Sequence, residues 1–368
     1  MLKTFKYRFY PTKSQRALLE QAIEECRWVW NKTLDFRKCA YDQEQKFVSL
    51  YQTSAELTKW KDNRESLNSV HSQVLQQVQV RVDLAFKAFF RRVKAKENPG
   101  YPRFKGKGRY DSFTYPQTGF KLEGNKLKLS KIGTVKIKIH RPIEGRIKTC
   151  TIRRTNGKWF VRFSCVDVPV QQSLASDQAI GIDLGLTSFA TKSDGSKVDN
   201  PRFFRQEEQA LKKAQQRLSK AENGSIERSK KRKVVARIHE RISNKRNDFA
   251  HQLSHKLVNE YGIIVFEDLN IKRMLEAGTR GLNKSIGDAA WNQLVQLTSY
   301  KAENAGRKVI LVDPRNTSKM CSRCGKIVDK ELSDRIHSCP HCKLKLDRDW
   351  NAAINILRLG LQSHQKRS

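Results

Sequence analysis

The sequence predicts a chain in two parts: a small β-barrel interrupted by helices, then an α/β layer with a metal ribbon inserted near its end. Three observations predict it. Short alternating segments gather at residues 1–10 and 120–168. Two apolar strands bearing acids lie near 180–186 and 263–268. Four cysteines in paired spacing occupy positions 321–342.

Residues 1–10 alternate in part and read as a strand ended by Pro11, after which Thr12 or Ser14 can cap a helix. From residue 15 to about 40, apolar residues recur at three and four, from Leu18 and Leu19 to Trp30 and Leu34. A second helical tract covers about 69–94, with Val74, Leu75, Val78, Val82, Ala85, Phe86 and Phe89. Aromatic residues at this spacing are expected in a core rather than on a base-stacking surface. The stretch 98–116 interleaves basic, glycine and aromatic residues, the composition of a nucleic-acid contact carried by Arg103, Lys105 and Lys107. An ordinary solvated loop is the competing reading. Strands are expected at Lys126–Leu129, 134–139, 146–154 and Lys158–Val166, closing a barrel with the N-terminal strand. The helical tract 15–97 is then an insertion, and the barrel comprises 1–14 and 98–170.

The polar stretch 171–177 reads as a linker. Beyond it, Ile180, Ile182, Leu184 and Leu186 share one strand face, and Gly181, Asp183 and Gly185 the other. A carboxylate between glycines leaves room for an ion and a phosphate, whereas an unpaired one in a buried strand is costly. Asp194-Gly195 marks a hairpin. Residues 203–260 form a basic antiparallel helix pair with a thin apolar stripe, its charged face suited to phosphate contact. A buried strand ends in Glu267 and Asp268; a helix at 285–306, a strand at 308–312 and a last helix at 350–361 follow, with a polar tail from 363 expected to fray. Strand with Asp183, hairpin, helices, strand with Glu267, helix, strand, helix with Asp349: this is the order of a ribonuclease-H-type layer. Three carboxylates from two strands and a helix can converge on two Mg²⁺ ions, which prefer oxygen ligands. In helical register Asp349 shares a stripe with Ala352, Ala353, Ile356 and Leu357, while Asp347 is expected to precede and cap the helix.

Cys321, Cys324, Cys339 and Cys342 form two C-x2-C pairs fourteen residues apart, the ligand pattern of a ribbon holding one structural Zn²⁺. Unrelated thiols or disulfides are the alternative. Cys26, Cys39, Cys150 and Cys165 lack ligand spacing and read as core or surface thiols. Lysine and arginine number 73 against 37 acids, a formal charge of +36 spread along 368 residues. Such a surplus implies a polyanionic partner, most simply nucleic acid. A ribosomal-type structural protein and a membrane-surface binder are the bland alternatives. Without a signal peptide or bilayer-length apolar run, and with free thiols, the chain is expected in a bacterial-type cytosol, at the nucleoid and away from membranes.

G-I-D-L-G at 181–185 falls within A-I-G-I-D-L-G. Together with F-E-D-L at 266–269, T-S-K-M-C-S-R-C-G, C-P-H-C and D-R-D-W-N-A-A-I-N-I, it resembles the TnpB/OrfB family, transposon-encoded relatives of type V CRISPR effector nucleases. Y-R-F-Y-P-T-K-S-Q and Y-P-R-F-K extend the resemblance over nearly the whole chain. It implies an RNA-guided DNA endonuclease with a RuvC-like nuclease domain at 177–313 and 346–368. A zinc ribbon at 314–345, a wedge-type barrel and a helical recognition lobe complete the implied architecture. It also implies Asp183, Glu267 and Asp349 as the acids and Arg335 as a phosphate-contacting arginine. The partners implied are a guide RNA from the transposon end and double-stranded target DNA, bound by a monomer. Ser54, Gln76 and Thr114 match the family's readers of a short target-adjacent motif. Lys343 departs from the family, standing where a glycine usually follows the second cysteine pair. A nuclease-inactive RNA-guided repressor and a DNA transposase are the alternatives; the intact acid set speaks against the first.

Overall fold

The computed structural model describes residues 1–170, 176–331 and 334–365. The chain divides into two compact units, Met1–Pro169 and the residues from Val170 onward. The linker expected at 171–177 lies, for residues 171–175, outside the described residues.

In the first unit, β1 (Lys3–Phe9) leads into α1 (Lys13–Glu44). Thr12 is the cap: its Oγ1 accepts from the Gln15 amide while Gln15 Oε1 accepts from the Thr12 amide, satisfying two otherwise orphaned N–H groups. A helix that periodicity did not reveal follows, α2 (Leu50–Asn63), opened by the same reciprocal pair between Ser49 and Gln52. It buries only Thr53, Leu57 and Trp60, too thin a stripe to show as a pattern. Next comes α3 (Ser72–Lys94), in which Val74, Leu75, Val78 and Val82 are core. The expected core ends there. Phe86 lies at its edge and Phe89 is half-buried beside Phe90, which is 47% exposed.

The remaining strands are β2 (Ser112–Tyr115), β3 (Phe120–Glu123), β4 (Lys126–Leu129), β5 (Gly133–Lys138), β6 (Arg146–Thr155) and β7 (Lys158–Val166). They form one antiparallel sheet in the order β2-β6-β7-β1-β5-β4-β3. No ladder joins β2 to β3. Instead the Tyr115 hydroxyl donates to the Ser130 carbonyl at 3.0 Å, and its ring meets Phe120. The expected barrel is therefore a curled sheet whose ends meet through side chains. Strand β2 also corrects the reading of 98–116 as loop throughout: Phe113 and Tyr115 are 1% exposed, facing the core through the period of two.

In the second unit, β8 (Ala179–Leu184), β9 (Ser188–Lys192) and β10 (Lys197–Asp199) form a meander. The long helices α4 (Phe203–Ser219) and α5 (Ile226–Glu260) follow, closed on each other by Leu211, Ala214, Ile238 and Ile242. Then come β11 (Ile263–Glu267), α6 (Ile271–Ala277), α7 (Arg280–Ala289), α8 (Trp291–Asn304) and β12 (Lys308–Val312). The single helix expected at 285–306 is split, because Ala290 adopts φ +53° between α7 and α8. A short ribbon, β13 (Ile336–Ser338) and β14 (Lys345–Asp347), precedes α9 (Arg348–Gln365). Of the tail expected to fray, residues 363–365 are helical and 366–368 lie outside the described residues. The sheet order is β10-β9-β8-β11-β12, with β8, β11 and β12 parallel. One face, with Ile180, Ile182, Ile264 and Phe266, packs with residues of α5 and α8. The other carries Val265 and Val312 against Ile356 of α9. Among the described residues no helix is long and apolar enough to cross a membrane.

Candidate active site and metal centre

Parallel pairing of β8 with β11 sets Gly181 beside Val265 and Ile182 beside Phe266. One residue further, the same register brings Glu267 beside Asp183. Both side chains point to the α9 face, because Gly181 and Val265, two residues earlier, lie on that face. The helix approaches very closely. A Cβ on Gly181 would lie 2.3 Å from the Ala353 carbonyl oxygen, and one on Gly360 would lie 2.5 Å from the Val265 side chain. Ala352 and Ala353, both buried, complete this small-residue contact. Asp349, one turn before Ala353, is thereby delivered to the end of the sheet that holds the other two acids.

The electrostatics follow from that crowding. Burial, then repulsion from Glu267 and Asp349, raises the Asp183 carboxyl well above the usual range, and the Arg348 guanidinium partly opposes this. Burial also raises Glu267, against which the Thr317 hydroxyl donates to its Oε1 at 2.5 Å. Arg348 Nε lies 3.4 Å from Asp349 Oδ1. Asp347 has a different task. Its Oδ1 accepts from the amides of Asp349 and Trp350, each at 3.0 Å, and its Oδ2 binds Lys197 at 2.8 Å. It caps α9, as helical register suggested.

The four cysteine sulfurs lie within 4.8 Å of one another, the one such group of possible ligand atoms among the described residues. Cys321 and Cys342 are 3.5 Å apart, and Cys324 and Cys339 3.6 Å. Zn–S bonds of about 2.3 Å give tetrahedral edges of about 3.8 Å, so the set fits zinc. The two knuckles are alike. Gly325 and Lys343 donate back to the carbonyls of Cys321 and Cys339, at φ +75° and +61° respectively. The backbone amides of His341 and Cys342 point at Cys339 sulfur. Asn351 and Asn355, fully buried on α9, bind this centre to the helix: Asn351 accepts from the Ser322 amide, and both donate to the Met320 carbonyl. Oxygen donors such as the three carboxylates could hold hard divalent cations.

A relative from Streptomyces pristinaespiralis, named as an RNA-guided DNA endonuclease, is 39% identical over 98% of this chain and 89% of its own length. The Escherichia coli K12 protein InsQ, of the same description, is 30% identical over 98% and 92%. The family model of OrfB from IS605, described as a probable transposase, matches residues 163–278. The chain belongs to the TnpB/OrfB family. A Cas12f1-like TNB domain model also matches residues 291–356. In fold, this TnpB/OrfB member resembles the protein of a Cas12f1-sgRNA-target DNA complex, with TM-score 0.61 at 12% identity over 97% of this chain and 98% of that one. It resembles the mini-RNA-guided endonuclease Cas_phi3 with TM-score 0.52 at 11% identity over 98% and 92%. A helix-turn-helix model matches residues 1–46, yet in this TnpB/OrfB chain that segment holds β1 and the single unbroken helix α1.

The other sequence candidates are scattered. Arg335 is exposed, and its carbonyl accepts from the Arg348 amide at the start of α9. Asn31 clamps the backbone of Lys105 through its amide and carbonyl, leaving Arg103 and Lys107 exposed. Lys105 itself lies over the Trp30 ring, 5.1 Å from its centroid. Ser54 is half-buried on α2 and Gln76 exposed on α3. Thr114 accepts from Arg81 at 2.7 Å and pairs with Thr151. Four residues of the centre escaped sequence reasoning: Thr317, Arg348, Asn351 and Asn355. The only local signal was the pair of asparagines one helical turn apart.

Proposed function

We propose that this chain is a transposon-encoded, RNA-guided DNA endonuclease that hydrolyses phosphodiester bonds at Asp183, Glu267 and Asp349. The observation that carries the reading is the meeting of two strand acids with a helix acid on one sheet face. Full-length kinship with proteins named as RNA-guided DNA endonucleases supports it. The 3-2-1-4-5 order of the second sheet, with its first, fourth and fifth strands parallel, supports a ribonuclease-H-like, RuvC-type layer at 177–313 and 346–368. In this reading 314–345 is a zinc ribbon, 1–14 and 98–170 a wedge, and 15–97 a recognition lobe.

Two Mg²⁺ ions, when bound, would supply Lewis-acid activation of water and stabilisation of the leaving oxygen. The chain's own residues prepare the place. Thr317 holds Glu267 in one orientation, Asp347 fixes the first turn on which Asp349 rides, and Arg348 offsets the crowded negative charge. Crowding makes the carboxylates costly without a cation, and so favours cation binding. Arg335 contacts a phosphate of the scissile strand. The guide selects the target by base pairing, and Ser54, Gln76 and Thr114 read the flanking motif.

The test is plasmid cleavage in Mg²⁺ by protein purified with its RNA. Asp349→Ala and Asp183→Ala should each lose several kcal/mol of transition-state stabilisation, on the order of 10³-fold in rate, with RNA retained. Exchanging the guide should redirect the cut. Cleavage that persists in RNA-free protein would sink the reading.

A further inference from the structure

The aromatic residues that α3 was expected to bury instead line an open groove of about 430 Å³ within the first unit. Three segments build it. Tyr41 comes from the end of α1, Phe47 from the turn after it, and Phe86, Phe89 and Phe90 from α3; Tyr101 closes it from the following loop. The rings touch in series: Tyr41 with Phe47 at 5.2 Å, Phe47 with Phe90 at 6.1 Å, Phe90 with Phe89 at 5.2 Å, and Phe89 with Tyr101 at 5.4 Å. Yet Phe47 is 70% exposed, and Phe90, Tyr101 and Tyr41 are 47%, 46% and 44% exposed. A contiguous aromatic surface left open on so charged a protein marks a binding site.

Its charges say what enters. Lys46 and Lys87 stand on the rim. Within the groove Asp83 is held by Arg37 at 2.8 Å and by Lys87 at 3.0 Å. A carboxylate there repels phosphate, while cations at the rim attract it, so a nucleotide would seat its base inward and its phosphate outward. The buried Nε–H of Arg37, which lines the groove, has no acceptor among the described residues. A base must be unpaired to stack on these rings. A folded RNA offers such bases in loops and bulges, whereas duplex DNA keeps them paired. The hydroxyls of Tyr41 and Ser49 also suit a ribose 2′-OH.

We infer that this groove seats an unpaired base of the protein's RNA partner between Phe47, Phe90 and Tyr101. The inference rests on the proposed function for the existence of that RNA. It assigns the groove to RNA binding, apart from the carboxylates and the motif-reading positions.

The test has two arms. The protein purified with its RNA is irradiated and the nucleotide adducts are mapped by mass spectrometry; ribonucleotide adducts should fall on peptides containing Phe47, Phe90 or Tyr101. In the second arm the RNA is recovered, and its affinity for salt-stripped protein is measured across a salt series. Phe47→Ala with Phe90→Ala should weaken binding about tenfold and leave the slope of log Kd against log salt unchanged. Lys87→Ala should lower that slope by about 0.7. Phe47→Trp should bind as the parent does. Phe47 is 70% exposed and Phe90 47%; a thermal melt beside the parent shows that each variant is folded before its affinity is read. Unchanged affinity in the double variant overturns the inference, as do adducts confined to deoxyribonucleotides when target DNA is present. Loss of a protein dimer in sedimentation, with RNA binding intact, also overturns it. Protein that carries no RNA refutes the proposed function; RNA-bound protein with an unlabelled groove refutes only this inference.

Discussion

Asp347 and Asp349 are two residues apart and occupy different settings because a helix begins between them. Asp347 lies just before the helix, where its carboxylate can reach the free amides of the first turn. Asp347→Ala should cost about 1 kcal/mol of stability and only part of the cleavage rate. Asp349→Ala should cost most of the rate and little stability; thermal melts beside cleavage assays read both. Lys343 carries a second residue-scale lesson. It occupies the left-handed conformation that Gly325 occupies in the other knuckle, and a side chain there costs about 1 kcal/mol. Lys343→Gly should therefore slow zinc loss to a chelator, and Gly325→Ala should hasten it. Equal rates for Lys343→Gly and the parent would contradict the strain argument.

At the scale of elements, the contact of α9 with β8 sets the geometry of the acids. Gly181 lies beneath the helix backbone, with Asp183 two residues further along the strand. Gly181→Ala would force α9 away from the sheet, moving Asp349 relative to Asp183 while the cysteine cluster stays closed. A shift near 1 Å should lower cleavage on the order of 10²-fold, with zinc content unchanged. Normal cleavage by this variant would show that the helix position is not critical. The alternation of strand β8 was readable, including its glycine face. That Gly181 serves a helix some 170 residues later was not, because close approach belongs to the pair of elements.

At the scale of the whole molecule, the four-cysteine cluster and the acids form one connected structure. Asn355 binds the carbonyls of Thr317 and Met320, and Thr317 in turn holds Glu267. Removing a zinc ion held by the four cysteines should loosen the Met320–Ser322 turn and, through Thr317, free Glu267. Zinc extraction by a chelator should abolish cleavage in Mg²⁺, and readdition of zinc should restore it. Full activity of zinc-free protein would break this link. The charge of +36 acts over the molecule as a whole: nonspecific DNA binding should weaken steeply with salt as counterions are released.

The sequence by itself determined what is local or periodic. The two cysteine pairs are each set by one tight turn, and Thr12 and Asp347 cap helices through neighbours three residues away or fewer. Strands β4 and β7 follow from alternation alone. Tertiary structure decided which acids meet, because that depends on parallel register between β8 and β11 and on a helix seated by a missing Cβ. It decided the role of Thr317, an unremarkable residue until folding brings it to Glu267. It also decided the fate of the aromatic residues of α3. Periodicity says only that one helix face is apolar; whether another element covers that face depends on where the rest of the chain goes, and beyond Val82 the groove stays open.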